Sequence, residues 1–264
     1  MNNDTMSQLK KDHIYNLMLE NKRADGRKFE EYREIEIKTD IIDKAEGSAS
    51  VKLGNTYLTA GIKIQPGEPF PDTPDEGVII TNIELPPMAS PNFEAGPPRE
   101  DAIELARVID RGIRESKAID LKQLCITPGE KVWIIFIDIH VLNDRGNIMD
   151  AATLATTAAL LKTKIPTQRY QLNTDENEND KRLPIRNLPI ATTAITLENT
   201  IILDPTDEEE EVAGAKLTII TNTNNTISAI QKSGREPLTT TQIKEITRLA
   251  REQSQKLREK LLEV

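Results

Sequence analysis

Three arginines are the residues best placed to do chemistry. Arg107, Arg111 and Arg114 stand four and three residues apart within Glu100–Ala118, a stretch whose apolar residues follow a helical period. At about 100° per residue they fall within ~60° of one another, with Leu105, Ile109, Gly112 and Ser116 on the opposite side. A guanidinium offers a planar fork of donors that matches phosphate oxygens, so such a ridge can hold the backbone of a nucleic acid. The same spacing supplies Asp110–Arg114 and Arg111–Glu115 as pairs one helical turn apart, which would make the ridge a solvated face instead. Spacing alone leaves both open. With one Trp, four Tyr and four Phe scattered along the chain, an aromatic platform for stacked bases is not expected.

Other chemistries are thinly supplied. There is no Walker loop, no G-x-G-x-x-G fingerprint, no H-E-x-x-H and no cysteine pair. Of the two histidines, His13 and His140, the second shares a strand face with Asp138. Without a Ser or Cys nucleophile motif, that pair reads as a satisfied core contact. Cys125 reads as a small buried hydrophobe. Asp175-x-Asn177-x-Asn179 imitates the start of a calcium loop, but its sixth position is Asp180 rather than Gly and its twelfth is Arg186 rather than Glu, so it is rejected. The acids Asp207–Glu211 could attract a divalent cation, yet on an exposed turn they are more simply a solvated face. No catalytic residue, metal or cofactor is expected.

These side chains need a scaffold, and the chain has the length for one. Its 264 residues carry 43 acids against 34 bases, a net charge of −9 that argues against sequence-independent nucleic-acid binding over the whole surface. A single cysteine excludes a disulfide scaffold and fits a reducing cytoplasm. The opening Met1-Asn2-Asn3-Asp4 lacks the basic-then-apolar order of a signal peptide, and no run approaches the ~18 apolar residues of a membrane span.

Leu9, Ile14, Leu17 and Met18, behind Ser7 as a candidate cap, predict a first helix that Arg23–Arg27 breaks. Strands are expected at Arg33–Lys38, at Ser48–Leu53 and Thr56–Ile64 around a Gly54-Asn55 turn, and at Val78–Leu85 between two Pro-rich stretches. Lys131–Leu142 is apolar on both faces and reads as a central buried strand. It leads through Asn143–Asn147 into an Ala-rich helix, Ile148–Lys162. The polar stretch 163–189 reads as a linker or mobile loop. Beyond it come strands at Ile190–Leu197 and Thr200–Leu203, an acidic turn from Asp204 to Glu211, and strands at Val212–Thr223 and Thr226–Gln231. A last helix opens with a Thr239/Gln242 capping box and a Leu238–Ile243 staple, and keeps Ile246, Leu249, Ala250, Leu257 and Leu261 on one stripe. The expected class is α+β, two β-rich halves each closed by helices around a mixed sheet. The boundaries expected are 1–30 for a helix and arm, 31–165 for a first domain, 166–189 for the linker and 190–264 for a second domain.

Several of these segments in combination resemble the RNase PH family over roughly residues 20–255. They are Arg23-Ala24-Asp25-Gly26-Arg27, Gly47-Ser48-Ala49, Leu53-Gly54-Asn55-Thr56, Ala102–Arg111, Leu142–Ala151 and Leu203-Asp204-Pro205-Thr206-Asp207-Glu208-Glu209. Within the family the chain looks most like the non-catalytic ring subunit of the archaeal exosome. Active members bind the attacking phosphate with a Gly-Thr/Ser-Arg turn that opens the Ala-rich helix, where a helix N-terminus and a guanidinium make an anion site. The matching residues here are Gly146-Asn147-Ile148-Met149, and the positions of an active member's arginine pair are Glu100 and Asp101. The late aspartates of active members are matched by Asp204-Pro205-Thr206 and a run of acids. The resemblance therefore implies a subunit inactive alone. It would alternate in a hexameric ring with a catalytic RNase PH-like subunit, beneath RNA-binding cap proteins, and touch single-stranded RNA as the ring shortens it from the 3′ end with phosphate. The residues implied for that contact are Arg111 and Arg107, then Arg114.

Overall fold

A two-residue turn sets the first sheet. Gly54 adopts φ +57°, the left-handed conformation a two-residue hairpin connection needs, and joins β2 (Gly47–Leu53) to β3 (Thr56–Gly67) with Leu53 opposite Thr56. β1 (Ile35–Thr39) pairs with β2, and β6 (Lys131–Asn143) pairs antiparallel with β3. β4 (Val78–Glu84) lies parallel on the far side of β6, giving the order β1-β2-β3-β6-β4, with short β5 (Cys125–Thr127) beside the start of β6. The second sheet is antiparallel throughout, in the order β10-β9-β7-β8, from β7 (Ile190–Leu197), β8 (Thr200–Leu203), β9 (Ala215–Thr221) and β10 (Ile227–Gly234). The computed structural model describes residues 3–171 and 180–264.

Between the sheets runs α3 (Ile148–Lys162), packed on β2, β3 and β7. Ala151, Ala152, Ala155, Ala158 and Ala159 are all buried, so the helix has no solvated face along most of its length and its sequence carries no amphipathic stripe. The approach is close enough that a Cβ on Gly47 would stand 2.5 Å from the carbonyl of Ala159. α2 (Glu100–Glu115) packs on both β4 and β10, and so ties the two sheets together. α5 (Thr240–Leu262) covers β7 and β9 with its expected stripe, opened by the Thr239/Gln242 capping box. α1 (Asn3–Leu19) packs against α4 (Asp207–Val212), with Ile14 and Met18 against Ile195, Leu197 and Ile202.

Several expectations need correction. α1 begins before Ser7, which therefore does not cap it, and Leu9 is exposed because the buried face runs through Ile14 and Met18. β6 is central by pairing but not buried on both faces. α3 covers one side, while on the other Asp138 is half-buried and His140 is exposed, 3.2 Å from Glu84. Asp138 accepts a hydrogen bond from Asn82 instead, so the pair is not a core contact. The acidic turn is the short helix α4, because Thr206 and Glu209 close a capping box around its first turn. Ile243 is exposed, and Leu238 packs on the second sheet's cluster. Cys125 is half-buried. In the polar stretch after α3, Thr163, Ile165 and Leu183 are buried and Lys164 bridges to Arg182. The calcium-loop imitation at Asp175–Asn179 lies outside the described residues.

Candidate nucleic-acid interface

α2 turns Val108, Ile109, Gly112 and Ile113 inward and leaves Arg107, Arg111 and Arg114 exposed along a shallow groove shared with Thr81 and Glu115. Gly112 permits that seat, since a Cβ there would stand 2.6 Å from Ile220. The structure thus brings the three arginines together, but it does not make them equivalent. Arg114 donates from Nε to Asp110 at 2.7 Å, from Nη2 to the same carboxylate at 3.2 Å, and from Nη2 to the Ile79 carbonyl at 2.5 Å. Arg107 and Arg111 have no ion-pair partner among the described residues, and the Arg111–Glu115 pair is not formed. Two free guanidinia, one helical turn or ~6 Å apart along the axis, remain to meet an anion.

The N-terminus of α3 is organised differently. Gly146 (φ +85°) and Asn147 (φ +58°) are consecutive left-handed residues, and a Cβ on Gly146 would lie 2.4 Å from the Asp207 amide. This turn aims the Asn147 amide at α4, where the Glu210 carboxylate accepts it at 3.0 Å. Glu210 also pairs with Lys216 at 3.2 Å. The helix terminus that could receive a phosphate thus holds the chain's own carboxylate. The other acids of α4 are also engaged. Asp207 meets Arg145 at 3.2 Å, Glu211 meets Lys11 at 3.8 Å, and Glu209 binds Arg23. Among the described residues, no three or more His, Cys, Asp or Glu converge to hold a metal ion, and no helix is long and apolar enough to cross a membrane.

Behind that turn lies a buried polar network. The Arg23 side chain is inaccessible to solvent and donates to both Glu209 oxygens, at 2.8 and 2.6 Å, and to the Leu203 and Asp204 carbonyls. Arg33 grips Asp204 with two bonds of 2.9 and 2.7 Å, and Arg27 adds a third at 2.9 Å. Asn147 Nδ2 bridges Asp204 and Asp150, and Asp150 also accepts from the Tyr32 hydroxyl and from the Thr193 amide and hydroxyl. Burial pushes the Asp150 carboxyl up to about 6 despite those donors. Burial would also raise Asp204, but Arg33, with Asn147, holds it below the usual carboxylate range. Sequence spacing could not join Arg23 to Glu209, Arg33 to Asp204 or Tyr32 to Asp150, each pair more than 100 residues apart. Their one signal was that Arg23–Arg27 and Leu203–Asp207 both belong to the motifs that carry the resemblance.

Family models for RNase PH, described as the 3′ exoribonuclease family, match residues 31–166 as domain 1 and 187–253 as domain 2. The exosome complex component Rrp42 of Methanocella arvoryzae is 57% identical over 261 residues, covering 99% of this chain and 98% of that protein. The component of the same name from Archaeoglobus fulgidus is 49% identical over 264 residues, covering 100% of both. A chain of a solved structure described as the A. fulgidus exosome with RNA bound to the active site superposes with a TM-score of 0.93 at 49% identity, covering 97% of this chain and 99% of that one. Both halves of the sequence match, in order, and close relatives match it end to end: the chain belongs to the RNase PH family of 3′ exoribonucleases.

Proposed function

We propose that this chain is the non-catalytic RNase PH-like subunit of an archaeal exosome core. It alternates with a catalytic RNase PH-like partner in a hexameric ring and shapes that partner's active site. It also contacts single-stranded RNA, delivered by RNA-binding cap proteins, during phosphorolytic 3′-to-5′ degradation in the cytoplasm. Its likeness to Rrp42 proteins supports membership of the ring.

The observation that carries the non-catalytic assignment is the Glu210 carboxylate on the Asn147 amide. A phosphate approaching the α3 N-terminus meets a negative charge already in place. No arginine follows in Ile148-Met149 to offset it, and Glu100 and Asp101 add acids at the start of α2. RNA contact falls to Arg107 and Arg111, whose guanidinia are uncommitted, with Arg114 behind them.

The purified chain, alone and mixed with its catalytic partner, should be incubated with 5′-labelled RNA and inorganic phosphate. Nucleoside diphosphates should appear only from the mixture, whose native mass should report an alternating ring. Phosphate-dependent shortening by the chain alone would refute the assignment.

A further inference from the structure

The groove beside the arginine ridge is not lined by cations alone. Thr81 of β4 and Asp110 of α2 share its space of about 400 Å³ with Arg107 and Arg111. Along the helix axis Asp110 lies between those two arginines, ~4.5 Å from the level of the first and ~1.5 Å from that of the second. Thr81 is half-buried and 26% of the Asp110 side chain is accessible, so both meet solvent in part. A bare carboxylate beside a path for phosphates would repel them.

Arg114 offsets that repulsion. Its two bonds to Asp110 and its anchor on the Ile79 carbonyl make a nearly neutral pair of fixed orientation. Asp110 Oδ1 in turn accepts the Thr81 hydroxyl at 3.2 Å. An ionised carboxylate only accepts, so the single hydroxyl proton of Thr81 is committed to it, and lone pairs are all that Oγ1 has left to offer. Among the described residues none donates to them. Beside two free guanidinia that suit phosphates there thus stands an oriented acceptor, strengthened by the chain of Ile79, Arg114 and Asp110 behind it. Phosphodiesters have no donor to give it. In a polynucleotide the donors are base groups, which change with sequence, and the ribose 2′-hydroxyl, which every ribonucleotide carries and DNA lacks.

We propose, resting on the reading of the ridge as an RNA contact, that Thr81 selects RNA over DNA by accepting the 2′-hydroxyl of a nucleotide whose flanking phosphates meet Arg107 and Arg111. Asp110 is the positioning residue, since taking the Thr81 proton keeps Oγ1 an acceptor. The arginines hold either kind of strand, and the threonine supplies the discrimination.

The probes are oligouridylate and oligodeoxyuridylate of the same length and label, which differ only in the 2′-hydroxyl. Their binding is read by fluorescence anisotropy on the ring reconstituted with the catalytic partner, without phosphate. The partner's own preference is common to every variant, so the readout is the change in the RNA-to-DNA affinity ratio. Thr81→Val, which removes the acceptor and keeps the shape, should lower that ratio about fivefold, the worth of one hydrogen bond, with the loss falling on RNA alone. Thr81→Ser should restore it. Asp110→Asn, whose amide can donate to Oγ1 and fill the vacant acceptor, should lower the ratio as well. Arg107→Ala/Arg111→Ala should weaken both strands alike and leave the ratio unchanged. If that double variant weakens both strands but the ratio is unmoved by Thr81→Val, or falls equally in Thr81→Ser, the proposal is overturned and the ridge stands. A double variant that weakens neither strand would overturn the ridge, and the proposal with it.

Discussion

The double substitution Arg107→Ala/Arg111→Ala should change how salt weakens RNA binding by the reconstituted ring, and Arg114→Ala should not do so to the same extent. Each phosphate neutralised on a single strand adds ~0.7 to the slope of log affinity against log salt. With each meeting one phosphate as proposed, the two free arginines of α2 should together contribute about 1.4 of that slope. Between 50 and 200 mM salt, a fourfold change, the double variant should thus lose about sevenfold less affinity than the unmodified ring. Arg114 is committed to Asp110 and to the Ile79 carbonyl. Its removal should cost about 1 kcal/mol of stability and shift the slope by less than ~0.7. The assay is fluorescence anisotropy of a labelled oligoribonucleotide, at a minimum of four salt concentrations, without phosphate so that no RNA is consumed. Parallel slopes for the double variant and the unmodified ring would sink the ridge as an RNA contact and favour a pure scaffold. A larger slope change from Arg114→Ala than from the double variant would show the ion-pair ranking to be wrong.

Two further outcomes concern the buried network. Arg23→Met strands Glu209 in a dry site and should destabilise the chain by ~3–5 kcal/mol in urea unfolding, or about 10 °C in melting temperature. Adding Glu209→Gln should recover part of that loss, and purely additive effects would mean that the pair is not coupled. Asp150 gives a pH signature. Its folded pKa of about 6 lies above the 3.8 of an ordinary aspartate, so its stabilising contribution is full below pH ~4 and is lost as pH rises through 6. That is up to ~3 kcal/mol. The difference in stability between the unmodified chain and Asp150→Asn should therefore vary across pH 4–7, and a flat difference would refute the shift. Asp204, held low, loses its contribution only below that window.

How far the sequence could be read depended on how local the deciding forces are. The hairpin at Gly54-Asn55, the Thr239 capping box and the ends of α3 depend on residues within a turn of one another, and all were legible. The Arg ridge was legible as a ridge, because helical spacing alone places it. Which of its members are free was not, since the Ile79 carbonyl that fixes Arg114 comes from another element. β6 misled for a related reason. Ile134 and Phe136 are only half-buried and His140 is exposed, and apolarity in a strand does not say whether a cover exists. The acids of α4 were visible only as charge. Their roles depend on Arg23, Asn147 and Lys216, brought to them by the fold.

Glu210 links the charge of the sequence to the architecture of the family. A helix N-terminus leaves amides without intrahelical partners, and its dipole favours an anion nearby. In a subunit that receives phosphate, that need is met by the substrate, and the site must stay open between turnovers. In this chain Glu210 meets one of those amides from within the molecule, at the point where Gly146 and Asn147 adopt left-handed backbone. The two solutions exclude each other, because one amide cannot serve a resident carboxylate and a mobile phosphate together. Replacing Glu210 alone would not reopen the site, since no guanidinium stands in Ile148-Met149 and the acids at the start of α2 remain. On this reading the net charge of −9 is unevenly used. In the proposed role, acids would close the phosphate site from within, while the uncommitted positive charge of α2, on the opposite side of its apolar seat, would face the RNA.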